Sequence, residues 1–229
     1  MDWSRRAELE ELIDDPALDP AVFAAAMADL ARVNRLLLAN RPTFAFLKRA
    51  VGERTSFSLL DVGAGHGDYL RAIAGWAARR GIAARLTGID LSPAATASAR
   101  AATPAALGIR YVTGDVFAYR PDDPPDIIVS ALFTHHLPDP LVERFLAWME
   151  ATARIGWHVN DLHRHRLAWA GFSALGALMR WHPIVRHDGA ISVRRAFTRR
   201  DWQARLAAAG VAADIHWRPM FRLCLDRIR

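Results

Sequence analysis

The stretch Ser58–Leu70, SLLDVGAGHGDYL, passes from a short apolar run through an acid into a glycine turn. Leu59-Leu60 leads through Asp61-Val62 into Gly63-Ala64-Gly65-His66-Gly67, and an alanine-rich helical pattern follows from Tyr69 to Arg80. Strand, glycine turn, helix is the order in which α/β proteins hold a nucleotide-like ligand at the end of a parallel strand. Glycines there permit unusual dihedrals and let a ligand approach the backbone. Gly81 suits the position just past the helix.

Downstream the pattern alternates between strand and helix. Leu86–Asp90, LTGID, reads as the second strand, and its terminal acid lies 23 positions after Gly67. In a βαβ unit an acid there can accept hydrogen bonds from two ribose hydroxyls. Leu91-Ser92-Pro93 opens a helix through Ala102. Ile109–Thr113 is the third strand, followed by Gly114-Asp115-Val116-Phe117, where an acid can bond an exocyclic amine and apolar neighbours can stack on a purine. A proline-rich acidic turn at 121–125 precedes the apolar fourth strand, Asp126–Ser130. Ala131-Leu132-Phe133-Thr134-His135-His136 follows at the cleft, then a helix over Pro138–Ala153 and a fifth strand over Arg154–Asn160. Between 161 and 197 an apolar helix, 167–179, has basic and histidine-rich flanks and reads as a lid over the substrate side. Thr198 to Ala209 is a helix ending at Gly210, and Val211–Trp217 with Phe221–Ile228 reads as a terminal strand pair.

Upstream, residues 1–50 read as helices. Leu9, Leu12 and Ile13 have helical spacing, Asp19-Pro20 resembles an N-cap with proline at N1, and Phe23, Met27, Leu30, Val33 and Leu37 form one apolar stripe. That stripe faces either the cofactor cleft or the sheet. Arg41-Pro42 breaks the helix, and Phe44–Val51 starts another. The 229 residues suit one domain: a cap at 1–50, a ligand-binding core at 57–160, a lid at 161–197 and a terminal unit at 198–229. With 52% hydrophobic residues the chain is globular.

Composition excludes several chemistries. Cys224 is the one cysteine, so internal disulfides, cysteine-rich zinc sites and thiol-nucleophile schemes are out, and a buried position in the last strand is expected. The charged N-terminus lacks a signal-peptide core, and the longest apolar run, Leu167–Met179, is too short to span a bilayer, which needs about 20 residues. A soluble, cytoplasmic protein is expected. The net charge of +6 favours acidic ligands or anionic lipid, but the basic residues are spread along helices without a nucleic-acid motif, so no nucleic-acid partner is expected.

Four motifs in order and spacing resemble the class I S-adenosylmethionine (SAM)-dependent methyltransferases: LLDVGAGHGDYL, Asp90 in GIDLS, Asp115 in GDVF, and PDIIVSALFTHHL. The resemblance covers roughly 57–155, and the terminal strand pair fits it more loosely. It implies a Rossmann-like, seven-stranded, mostly parallel sheet with helices on both faces and an antiparallel C-terminal strand. It further implies that Asp61 and the loop of Gly63, Ala64, Gly65 and Gly67 hold the methionine end of SAM. Asp90 with Leu91 takes the ribose, Asp115 with Val116 the adenine, and Ala131 adjoins the cofactor after the fourth strand. Among small-molecule enzymes the chain looks most like those acting on quinones, phenols and polyketide-type aromatics. Two departures stand out: His66 sits where many members have a small or hydroxyl residue, and the Asn/Asp-Pro-Pro-Tyr/Phe motif of amino-directed enzymes is absent.

Methyl transfer is an in-line displacement at a sulfonium carbon, so the protein must align the acceptor and take its proton. No metal is required. Histidine is the natural base, with a reference pKa of about 6.5. His135, His163 and His187 are the candidates. His135 follows strand four, His163 follows strand five, and His187-Asp188 is a local histidine–carboxylate pair in a sequence that reads as a turn, where neighbours often cannot bond each other. His158 reads as structural. The expected acceptor is a small hydrophobic aromatic methylated on oxygen, with carbon or nitrogen of a similar ring as the alternative. A nicotinamide-dependent (NAD) dehydrogenase and a non-catalytic SAM-binding protein are the rivals. Peripheral membrane contact through the lid and a homodimer complete the expectations on partners.

Overall fold

The computed structural model describes residues 2–15, 17–121 and 123–229; residue 122 of the proline-rich turn thus lies outside the described residues. The strands are β1 (Ser56–Val62), β2 (Ala83–Asp90), β3 (Arg110–Thr113), β4 (Ile127–Ala131), β5 (Gly156–Leu162), β6 (Asp214–Arg218) and β7 (Arg222–Ile228). They form one sheet in the order β3-β2-β1-β4-β5-β7-β6. The first five are mutually parallel, and β7 runs antiparallel to both β5 and β6. Strand order reverses between β1 and β4, and open α/β sheets bind ligands at such a switch point.

The apolar run of β1 serves both faces, because successive strand residues point to opposite sides. On one face Phe57 and Leu59 pack with Phe46, Leu47, Leu70, Ile73 and Trp76. On the other, Leu60 and Val62 pack with Phe145, Met149, Trp157 and Trp202. The covering helices are α1 (Pro20–Leu36), α2 (Arg41–Val51), α3 (Asp68–Ala78), α4 (Pro93–Ala102), α5 (Asp139–Thr152), α6 (Arg166–Leu178), α7 (Pro183–Arg195) and α8 (Arg199–Ala209). A separate apolar cluster joins Ala26 and Val33 of α1 to Trp181 and Val185, with Phe172 of α6 against it. The N-terminal helices therefore divide their work: α2 packs on the sheet, and α1 packs on α6 and α7.

Local signals place the boundaries. The Asp19 carboxylate accepts N–H bonds from Ala21 and Val22 at 2.8 and 3.2 Å. Thr198 and Asp201 form a capping box at the start of α8, and Gly210 ends it in the left-handed conformation. Cys224 is buried in β7, as expected.

Three expectations fail. The helix around Leu9, Leu12 and Ile13 is an extended segment with a single 3-10 turn at Leu12–Asp14. Its backbone bonds go to α7 instead: the Ala7 N–H donates to the Arg194 carbonyl, and those of Leu12 and Ile13 to the Asp188 carboxylate. Strand β5 runs on through Asp161 and Leu162, because β7 pairs with both. His187-Asp188-Gly189 lies inside α7 rather than in a turn, with Gly189 against the Phe172 ring, which leaves no room for a Cβ.

Candidate active site

The glycine turn after β1 is set by sterics. Gly63 has φ of +74°, and a Cβ there would meet the Phe133 ring at 2.6 Å, so only glycine fits both the backbone and the space. The Gly63 and Ala64 N–H groups donate to the Ile89 carbonyl at 3.0 and 3.1 Å. The Gly65 N–H donates to Asp90 at 2.8 Å, and the Ser92 N–H to the other Asp90 oxygen at 2.9 Å. Asp90 thus ties the loop to the start of α4 and keeps a further lone pair on each oxygen. Met27 of α1 lies over the loop, its Cε 3.2 Å from where a Gly65 Cβ would sit. His66 turns away toward α4, its Nδ1 2.8 Å from the Ser98 hydroxyl.

Three acids surround this loop. Burial pushes Asp61 well above the usual carboxylate range, and Asp68 and Asp90 push it further. Burial also raises Asp68 and Asp90. Carboxylates that hinder one another's ionisation are relieved by a cation. The sulfonium and ammonium of SAM supply positive charge, so the acids fit that ligand. Leu91 is 73% exposed beside Asp90, and Val116 is buried beneath. Asp115 is exposed and accepts the Phe117 N–H at 2.8 Å. Ala131 closes β4, next to Asn160 of β5.

A polar cluster stands where β4 and β5 end. The 3-10 turn Thr134–His136 follows β4. His135 Nδ1 lies 2.7 Å from Asp161 Oδ1, and both side chains are buried. The other Asp161 oxygen accepts the His135 N–H at 3.0 Å and the Thr134 hydroxyl. Burial alone would raise Asp161, but His135, Thr134 and the Leu162 N–H outweigh it and hold the carboxyl down at about 2. A carboxylate on Nδ1 selects the tautomer that carries its proton there and leaves the Nε2 lone pair free.

The N-terminal segment completes the cluster. Glu11 is buried, with its oxygens 3.7 Å from His135 Nε2 and 3.8 Å from His136 Nε2. Burial pushes Glu11 up to about 7, against the opposing pull of His136 and Arg195. His136 Nδ1 lies 3.0 Å from Asp14. Arg195 secures the segment, donating to the carbonyls of Leu9, His135 and His136. Arg6 donates to the carbonyls of His135, Leu137 and Arg195 and to Asp139. Phe133, which leads into the Thr134–His136 turn, packs on Gly63, so the turn adjoins the glycine loop.

Among the described residues, the other candidate bases hydrogen-bond none of this cluster's side chains. His163 Nδ1 is buried without a partner, its ring sits by His165, and burial lowers its pKa. His187 bonds its neighbour after all, with Nδ1 2.8 Å from Asp188, but it lines a cleft of about 370 Å³ with Ser173, Pro183 and Arg186. His158 is structural, with Nδ1 2.7 Å from Asp226 and its ring stacked on Phe46. Sequence reasoning missed Glu11, Asp14 and Asp161. Asp161 had a signal in its place at the end of strand five. Glu11 had none, since 8-ELEELIDD-15 offers several acids at helical spacing.

Comparisons with known proteins bear on the fold and the kind of domain. The family model described as "Methyltransferase domain" matches residues 59–156. Trans-aconitate 2-methyltransferase of Escherichia coli is 34% identical over 156 residues, a match that spans 59% of this chain and 59% of that protein. A SAM-dependent methyltransferase from Aquifex aeolicus superposes with a TM-score of 0.63 at 18% identity, covering 91% of this chain and 97% of that one. Magnesium protoporphyrin IX methyltransferase from Synechocystis, solved with bound S-adenosylhomocysteine (SAH), gives 0.57 at 15% identity, covering 95% and 91%. Over residues 59–156 the chain is thus similar to SAM-dependent methyltransferases, and its strand order gives it their fold.

Proposed function

We propose that this chain methylates a hydroxyl oxygen of a small, hydrophobic, aromatic acceptor. The observation that carries the reading is the buried His135–Asp161 pair at the carboxyl ends of β4 and β5, beside the glycine loop. SAM, when bound, supplies an electrophilic methyl on a sulfonium. Asp61, Asp68 and Asp90 meet that positive charge, Asp90 hydrogen-bonds the ribose, and Leu91 and Val116 flank the adenine.

Asp161 holds His135 so that Nε2 is the electron pair presented to the acceptor. In the metal-free protein that atom takes the hydroxyl proton as the oxygen attacks, and a positioned base contributes about 10²–10⁴-fold. Alignment of the oxygen with the methyl supplies much of the rest. An anionic acceptor, such as the aconitate named for the Escherichia coli relative, would meet Glu11, Asp14 and Asp161 here. The nearby guanidinium groups of Arg6 and Arg195 are already engaged with backbone carbonyls. A neutral hydroxyl suits the site better.

The test is transfer of labelled methyl from SAM to a panel of phenols, hydroxyquinones and carboxylic acids. Turnover of phenols, with kcat lowered at least 100-fold in His135→Asn while SAH still binds, supports the proposal. Turnover of carboxylic acids alone, or His135→Asn at full rate, overturns it.

A further inference from the structure

We infer that Glu11, His135 and His136 form a site for one divalent transition-metal ion of the zinc class. The inference rests on the reading above, that the acceptor oxygen comes to His135. Among the described residues these three are the one group whose ligand atoms converge, all within 4.8 Å of one another.

Three features of the geometry point to an ion. First, both imidazoles are committed at Nδ1, His135 to Asp161 at 2.7 Å and His136 to Asp14 at 3.0 Å. That arrangement leaves both Nε2 lone pairs free, and it is how carboxylates orient metal-binding histidines. Second, the Nε2 atoms face the two Glu11 oxygens at 3.7 and 3.8 Å, beyond hydrogen-bond reach. Electron-pair donors facing each other at that spacing suit a shared cation, since two bonds of about 2.0–2.1 Å at a tetrahedral angle span roughly 3.4 Å. Third, the rings of these adjacent residues lie side by side, 4.4 Å between centroids, rather than diverging.

The surrounding charge favours a cation. Glu11, Asp14 and Asp161 supply three carboxylates. Facing them are Arg195, 3.8 Å from Glu11 and 3.9 Å from Asp14, and Arg6 behind the His135 carbonyl. Ser192 donates its hydroxyl to Glu11 Oε1 at 3.0 Å and orients that carboxylate. Two guanidinium groups against three carboxylates leave a deficit that a divalent ion reverses.

Three protein ligands leave an open coordination position, as catalytic sites of this class do. The acceptor hydroxyl would occupy it. Its O–H bond then breaks more readily, because the ion stabilises the oxygen's negative charge, and the proton goes to water. His135 Nε2 serves as ligand in that state, and the oxygen's electron pair forms the new C–O bond as the C–S bond of the sulfonium breaks. Acceptors with a second oxygen adjacent to the hydroxyl, such as catechols and ortho-hydroxy carbonyls, would gain most from the ion.

The experiment is calorimetric titration of the chelator-treated, full-length protein with Zn²⁺, and with Co²⁺ followed by visible absorption. Expected are one ion per chain at micromolar affinity or tighter and a Co²⁺ spectrum of low coordination number. Glu11→Gln and His136→Ala should weaken Zn²⁺ at least 100-fold, and Asp14→Asn about 10-fold through loss of orientation. SAH binding to each variant verifies its fold. No stoichiometric ion, or an affinity indifferent to Glu11→Gln and His136→Ala, overturns the site. If the ion fails to bind while the phenols are methylated, the site falls and the methyltransferase reading stands. If the ion binds as described and no acceptor is methylated, the site stands and that reading falls.

Discussion

At the residue scale, the two ends of the cofactor loop should respond differently to substitution. Gly63→Ala forces a Cβ into the Phe133 ring at a left-handed φ. Strain of about 1–2 kcal/mol and overpacking of about 1–3 kcal/mol combine there, so a drop of at least 2 kcal/mol by denaturant titration is expected. Asp90→Ala removes the acceptor of the Gly65 and Ser92 N–H bonds and, on the function proposed above, a ribose partner. SAM affinity by calorimetry should fall at least 10-fold, the weight of one charge-assisted hydrogen bond of about 1.5–3 kcal/mol. Asp61, Asp68 and Asp90 have raised pKa values, so acidification protonates them earlier than ordinary carboxylates. SAM carries a sulfonium and SAH a neutral thioether. Lowering the pH from 8 to 5 should therefore weaken SAM more than SAH, and a constant ratio of the two affinities would refute this electrostatic account.

At the element scale, the β5–β7 pairing is pinned by a buried charge group. Asp226 of β7 accepts from His158 Nδ1 at 2.7 Å and from Arg49 of α2, with His216 of β6 at 3.5 Å. Burial opposes the charge, but His158 and Arg49 outweigh it and hold the carboxyl below its ordinary value. A depressed folded pKa gives stability that is present above the unfolded value of about 3.9 and lost as pH falls below it. Asp226→Asn should cost about 3 kcal/mol at pH 7, as when one partner of a buried pair is removed, and should flatten the acid limb of the stability curve. The capping box at α8 makes a smaller claim. Thr198→Ala should cost about 1 kcal/mol by the same measurement.

At the scale of the molecule, the sheet is a stable platform and the layer over its carboxyl edge is assembled from distant parts. Residues 3–14 are tied to α7 and to the turn after β4 by the Arg6, Arg164, Asp188 and Arg195 side chains rather than by a core of their own. Leu9 and Leu12 are exposed. Amide hydrogen exchange should be slowest in β1, β4 and β5 and much faster at Ala7, Leu12 and Ile13. Those three should slow when SAH or an acceptor binds beneath them. Exchange at Ala7 as slow as in β4 would show that the segment is an integral part of the fold and not a cover. No helix among the described residues is long and apolar enough to cross a membrane.

The local signals were enough for the Rossmann-like sheet and the glycine loop at its switch point. Each depends on a short strand–turn–helix unit whose glycines, apolar runs and caps are read within about 30 residues. The Cys224 position and both ends of α8 were legible for the same reason. The polar cluster around His135 was not, because its members come from four remote segments. His135 joins Asp161 only because β4 and β5 are neighbours, and Asp161 reaches the site only because β7 extends β5 by two residues. Glu11 arrives because Asp188, 177 residues along the chain, takes the backbone bonds that a helix at Leu12 would have kept for itself. The local pattern there favoured a helix, and a long-range carboxylate offered those N–H groups a charge-assisted partner instead. Periodicity reports which face of a segment is buried; which polar groups meet across the cleft is decided by the packing of the finished sheet.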